Sequence, residues 1–171
     1  MGDTITENEL RFERMLSASV ETVWQYIVDP DLRARWFMGG KFDGRVGGAI
    51  GFAMNHHNLS DDDIPTPERY APYIGNSWEE RITRIDPPHL LAFTWDEGKS
   101  GEVTIELAET DRGTRLVLTH RGIPDREKAL NFGGGWHSHL AALERRIAGQ
   151  GVPDFWALHA QSEAEIARAL G

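Results

Sequence analysis

The apolar positions of this chain follow two periods, one after the other. Residues 10–19 alternate apolar and polar side chains, the pattern of a strand with one buried face. Behind Ser19, a good N-cap, Val20, Val23, Trp24, Ile27 and Val28 recur at helical spacing and predict a short helix. Asp29-Pro30-Asp31 ends it, because the residue ahead of a proline is pushed out of the α region. A second helical turn is predicted over residues 31–37, closing on the pair Trp36-Phe37.

Residues 39–51 hold six glycines, which predict tight turns and two short paired strands, the better one at 48–54. Residues 55–76 have prolines on both sides of Thr66, three consecutive aspartates and no sustained period. They read as a long surface loop with one short helical turn at most; in a compact domain such a loop is a lid, a binding element or an insertion. Alternation returns at 77–95 as two strands split by Asp86-Pro87-Pro88, and at 101–122 as a hairpin turning at 110–113. In that hairpin Val103, Ile105 and Leu107 share one face, and Leu116, Leu118 and His120 share one face of the returning strand.

The period then changes to helical. Trp136, Leu140, Leu143 and Ile147 are spaced four, three and four apart, one apolar stripe on a helix that needs a sheet to cover. The helix starts either at Asp125 or only after Gly133–Gly135, since each glycine costs about 1 kcal/mol relative to alanine inside a helix. A break, a kink or a close backbone contact is expected at the triplet. From Pro153 onward, Phe155, Leu158, Ile166 and Leu170 predict a terminal helix that either packs outside the main fold or makes a dimer contact. The sum is an α+β domain over 1–150, a curved antiparallel sheet around one long helix, with a helical extension at 151–171.

Composition narrows the function classes. There is no cysteine, hence no disulfide framework, thiolate nucleophile or cysteine-based zinc site, which fits a cytoplasmic protein. Neither a secretion signal nor a run of apolar residues long enough for a membrane span is present. With 27 acidic against 18 basic side chains, the net charge of −9 argues against nucleic acid and anionic lipid as partners.

Candidate chemistry is sparse. His137 and His139 diverge by about 200° on a helix and do not share an ion. His56-His57, beside Asp61–Asp63, lacks zinc-ligand spacing and reads as solvated loop, and the acidic patch with Glu68 reads as solubilising. No G-x-S-x-G elbow or phosphate-binding glycine loop occurs. No metal or cofactor is expected. His120 and His139 facing one another with Glu80 nearby would meet the minimum geometry for proton transfer.

Four local patterns carry a family resemblance: Ala18-Ser19-Val20-Glu21-Thr22-Val23-Trp24, Asp31-Leu32-Arg33-Ala34-Arg35-Trp36-Phe37, Asp86 to Trp95 (DPPHLLAFTW), and Gly135-Trp136 with Leu140 and Leu143. In order and spacing they resemble the START-like or SRPBCC superfamily and, within it, the group similar to the C-terminal domain of the Hsp90 ATPase activator. The resemblance implies a helix-grip fold, in which the sheet curls around the last long helix and leaves a tunnel that often admits an apolar ligand. Carried over, Trp36, Phe93, Trp95, Trp136 and Leu140 lie at that tunnel, with Phe52, Trp78, Val103, Ile105, Leu118, Phe132 and His139 completing the expected lining. His120 joins them by strand alternation. The leading expectation is a module that binds a small hydrophobic or aromatic molecule without covalent chemistry. An enzyme of the cyclase or hydrolase kind using pocket histidines, and a protein that meets an Hsp90-type chaperone, are the alternatives.

Overall fold

The computed structural model describes residues 2–171. Seven antiparallel strands form one sheet in the order β1-β2-β7-β6-β5-β4-β3. They are β1 (Thr4–Ile5), β2 (Glu9–Leu16), β3 (Ala49–Ala53), β4 (Ser77–Asp86), β5 (Leu90–Thr94), β6 (Glu102–Thr110) and β7 (Gly113–Arg121). The register sets the predicted apolar faces against each other. Phe12 and Ile105 both oppose Leu118, Leu91 opposes Ile105, and Ile82 and Val103 both oppose Phe93, so one face is apolar across five strands. The glycine-rich stretch yields one strand rather than two. Gly39 and Phe42 make only isolated bridges to Ala53 and Ile50, and Gly40 (φ +150°) lies where a Cβ would sit 2.3 Å from the Gly51 carbonyl oxygen.

Four helices complete the chain: α1 (Val20–Val28), α2 (Pro30–Arg33), α3 (Arg126–Ile147) and α4 (Phe155–Leu170). Each begins at a side chain that accepts a backbone N–H, Ser19, Asp29, Asp125 and Asp154 in turn, a contribution of about 1 kcal/mol apiece. The start of α3 is therefore at Asp125, and the helix runs unbroken through the glycine triplet. Two of those glycines serve α4. A Cβ on Gly133 would stand 2.8 Å from Cγ2 of Ile166, and one on Gly134 would stand 3.0 Å from Cγ of Glu163. The terminal helix thus packs back on its own chain along α3.

α3 lays Trp136, Leu140 and Leu143 on the apolar face of the sheet, and all three are buried with Leu10, Phe12, Phe52, Phe93, Val103, Ile105 and Leu118. The interior between them is filled. Its residual void is about 10 Å³, bordered by Trp36, Phe52, Phe93, Ile105 and Trp136, no more than a single water molecule needs.

Arg33 locks the turn after α2. Its buried guanidinium donates to the carbonyls of Ile27, Met38, Gly40 and Gly51 at 2.7–3.1 Å, and burial lowers its pKa to about 10, so it stays charged at neutral pH. The turn that carries Trp36, Phe37 and Met38 is thereby tied to β3.

Candidate functional site

An apolar chamber opens where α3 meets α4, the long loop and the tryptophans Trp78 and Trp95. It holds about 150 Å³ and is lined by Phe37, Met38, Met54, His56, Tyr70, Trp78, Trp95, Asn131, Phe132, Gly135, Trp136, His139, Phe155, Trp156 and His159. The sheet supplies Trp78 and Trp95, edge to face at 6.0 Å, and α3 supplies Phe132 and Trp136 at 6.2 and 5.5 Å from Trp95. The opposite wall belongs to the loop and α4. Tyr70 and His56 both stack on Trp156, at 4.9 and 5.1 Å, and Phe155 lies 4.9 Å from His139. Gly135 forms part of the α3 wall; a Cβ there would meet nothing within 4 Å.

The loop wall is held by a buried cation. Arg146 near the end of α3 donates to Asp61 Oδ1 at 2.7 Å and to the carbonyls of Leu59 and Arg35, while Asp61 Oδ2 accepts the N–H of Val152. The hydrogen bond from Arg146 holds the Asp61 carboxyl below its usual range. Asp61 is thus a clamp between loop, α3 and the segment before α4, a correction to its reading as a purely solubilising charge. The loop itself forms two short 3₁₀ turns, His56–Asn58 and Ala71–Tyr73, rather than one.

The chamber histidines are held neutral. Burial, then repulsion from His159 and His57, lowers His56 to about 4; burial above all lowers His139 and His159 as well. A hydrogen-bond chain fixes His159: Tyr70 Oη lies 3.0 Å from Nε2, Nδ1 lies 2.9 Å from Ser138 Oγ, and Ser138 donates to the Gly135 carbonyl at 3.0 Å. Since a carbonyl only accepts, the chain satisfies every member when Nδ1–H donates to Ser138 and Tyr70 donates to Nε2.

Beside the chamber, sharing Trp78, Trp95, Asn131 and Phe132 with it, lies an open acidic cleft of about 520 Å³ bordered by Glu79, Glu80, Asp96, Glu97 and Lys128. Glu80 is 4% exposed and accepts from Trp78 Nε1, Thr94 Oγ1 and the amides of Asp96 and Glu97 at 2.8–3.0 Å. Two of those four bonds reach the amides of Asp96 and Glu97, which take left-handed conformations (φ 52° and 56°), and all four together leave Glu80 as scaffold rather than reactant.

Of the residues singled out from sequence, Trp78, Trp95, Phe132, Trp136 and His139 come together around the chamber. Trp36, Phe52, Phe93, Val103, Ile105, Leu118 and Leu140 lie in the filled interior instead. Trp36 still contributes through its backbone, because its carbonyl accepts Nδ1–H of His139 at 2.8 Å. His120 is fully buried and has both nitrogens engaged. Trp136 Nε1–H donates to Nδ1 at 3.0 Å, and Nε2–H donates to the Ser100 carbonyl at 2.8 Å. Burial pushes its pKa to about 4. His120, His139 and Glu80 therefore do not converge. Among the described residues no group of three or more His, Asp or Glu is arranged to hold a metal ion, and no helix is long and apolar enough to cross a membrane.

Phe37, Met38, Met54, His56, Tyr70, Asn131, Gly135, Phe155, Trp156 and His159 were not among the pocket residues expected from the sequence, although Phe37, His56, Gly135 and Phe155 stand out there in other roles. Half of them lie in the loop and α4, the segments that look like additions to the fold. One signal pointed there: Phe155 and Trp156 begin a peripheral helix with unusually large side chains, and His159 follows one turn later.

The family described as Activator of Hsp90 ATPase homolog 1-like protein matches residues 17–148. Among solved structures, a protein from Bordetella parapertussis is 39% identical with TM-score 0.81, over 95% of this chain and 86% of that one. A Chromobacterium violaceum protein is 26% identical, TM-score 0.61, over 82% and 96% of the two chains. CalU16 from Micromonospora echinospora shares the fold at 24% identity and TM-score 0.65, over 94% and 86%. No curated protein matches the sequence. The match over 17–148 takes in most of the chain, and the seven-stranded sheet closed on a long helix is the helix-grip architecture: this chain belongs to the Activator of Hsp90 ATPase homolog 1-like protein family.

Proposed function

We propose that this protein binds a small hydrophobic or aromatic molecule, without covalent chemistry, in the chamber between α3, α4 and the long loop. The observation that carries the reading is the chamber's composition: eight of its fifteen lining residues are Phe, Tyr or Trp, and it opens beside a filled core. A concave, largely apolar site with a few fixed polar groups is the usual form of a small-molecule site. A volume of about 150 Å³ suits a single aromatic ring, since a dry apolar cavity of that order takes up benzene.

Catalysis is the weaker reading. Ser138 is sealed away from the chamber lining with its hydroxyl already committed, and Glu80 has spent its acceptor capacity on the turn it supports. A chaperone-directed role rests on the family description alone, whereas the chamber belongs to this chain's own residues.

Gly135→Leu tests the reading, because it projects a side chain into open space at the chamber wall and leaves the core untouched. Ligand-observed NMR with ethylbenzene and toluene is expected to show binding to the wild type and none to the variant. Equal binding by both would refute the chamber as the site.

A further inference from the structure

We propose that the ligand is a neutral aromatic molecule carrying an O–H or N–H group, which donates a hydrogen bond to Nε2 of His139. This deepens the reading of the chamber as a ligand site and rests on it.

The argument starts from the tautomer. Nδ1 of His139 lies 2.8 Å from the Trp36 carbonyl oxygen, and that oxygen only accepts, so Nδ1 carries the proton. In a neutral ring Nε2 is then a bare acceptor, and burial of His139, which is 6% exposed, holds the ring neutral. Nε2 has no hydrogen-bond partner among the described residues. Nor is it sealed, for the one sealed and unpartnered side-chain polar atom among them is Oγ1 of Thr66. His139 lines the chamber, with Phe37 at 4.8 Å and Phe155 at 4.9 Å around its ring, so the chamber is where the lone pair is reached.

An acceptor left open in apolar surroundings selects a donor, because only a ligand that donates restores the hydrogen bond lost with water. Of the other polar side chains that line the chamber, Tyr70 and His159 satisfy each other, Asn131 stands exposed at the rim, and His56, its ring centroid 5.8 Å from that of His139, makes no hydrogen bond to it. Charge narrows the class further. Glu79, Glu80, Asp96 and Glu97 face Lys128 alone along the adjoining cleft, which disfavours carboxylates and other anions at the mouth. Phenols and anilines meet all of these conditions.

The test compares para-ethylphenol, its methyl ether para-ethylanisole, and ethylbenzene by NMR titration of the wild type, His139→Phe and Gly135→Leu. Wild type is expected to bind the phenol about tenfold tighter than the ether or the hydrocarbon, the size of one buried hydrogen bond. His139→Phe is expected to bind all three alike, and Gly135→Leu none. The wild type gives a second readout that needs no substitution: the His139 Nε2 resonance is expected to move upfield with the phenol and to stay in place with the ether. Equal affinity for phenol and ether, or a preference that survives His139→Phe, overturns the donor inference and leaves the chamber standing. Failure of all three to bind the wild type overturns both.

Discussion

The two ends of α3 sit in opposite surroundings although they share one helix and one tryptophan. Toward the sheet, Leu140 and Leu143 are buried in one core with Phe12, Phe93, Ile105 and Leu118, and the residual void there, beside Phe93, Ile105 and Trp136, is about 10 Å³. Toward the loop and α4, Phe132, Gly135 and His139 face a chamber of about 150 Å³ whose far wall is built by those two segments. Close packing is the rule where two regular elements meet face to face, and space survives where irregular segments bridge between them. The grip holds the fold, and the loop and α4 close the site over it.

The comparison breaks most sharply under truncation. Phe93→Ala removes a ring that is 2% exposed from the filled end and is expected to cost about 3–5 kcal/mol in chemical denaturation. Trp156→Ala removes a half-buried ring from the chamber wall and is expected to cost roughly half as much while abolishing aromatic binding. Equal costs would mean that the chamber is as tightly packed as the core.

Acid acts on both ends. His120 in the core and His56 in the chamber both have pKa values lowered from 6.5 to about 4. The unfolded chain takes up these protons first, so stability is complete above about pH 6.5 and falls as pH drops from there toward 4. For His120 alone the loss is roughly 3 kcal/mol. Denaturation midpoints measured across that window check it, and a flat profile would contradict the burial of these rings as neutral groups.

Two glycines of the triplet give the smallest and cleanest contrast. Gly133→Ala presses on Ile166 and is expected to destabilise by about 1–3 kcal/mol. Gly135→Ala meets nothing and is expected to stabilise by up to about 1 kcal/mol through helix propensity, while weakening ligand binding. Thermal melts of the two variants moving in opposite directions would sharpen the division; parallel shifts would erase it.

Much of the fold was legible because it follows period. The alternation through Val103–Leu107 and Leu116–His120, the stripe from Trp136 to Ile147 and the break at Asp86-Pro88 all report local burial, and local burial is what a sequence pattern encodes. The site was legible only in part. Trp78, Trp95, Phe132, Trp136 and His139 lie on elements whose faces could be assigned. His56 and Tyr70 lie on a loop without period, and their stacking on Trp156 depends on a clamp, Arg146 to Asp61, that joins positions 85 residues apart. The chain of three aspartates gave no sign of which one would meet a buried arginine. Conversely, Phe52, Phe93 and Ile105 show the inward face of a strand correctly, and facing inward here means packing against α3.

The central claim is that the ligand enters the chamber and not the filled interior, and the six tryptophan indole N–H signals report on both places at once. Two-dimensional NMR of the wild type titrated with para-ethylphenol is expected to move the indole signals of Trp95, Trp136 and Trp156, which line the chamber, and to leave that of Trp36 unmoved, since its N–H is bound to the Tyr26 carbonyl at 2.8 Å inside the core. Shifts centred on Trp36, with the chamber indoles unchanged, would contradict the account.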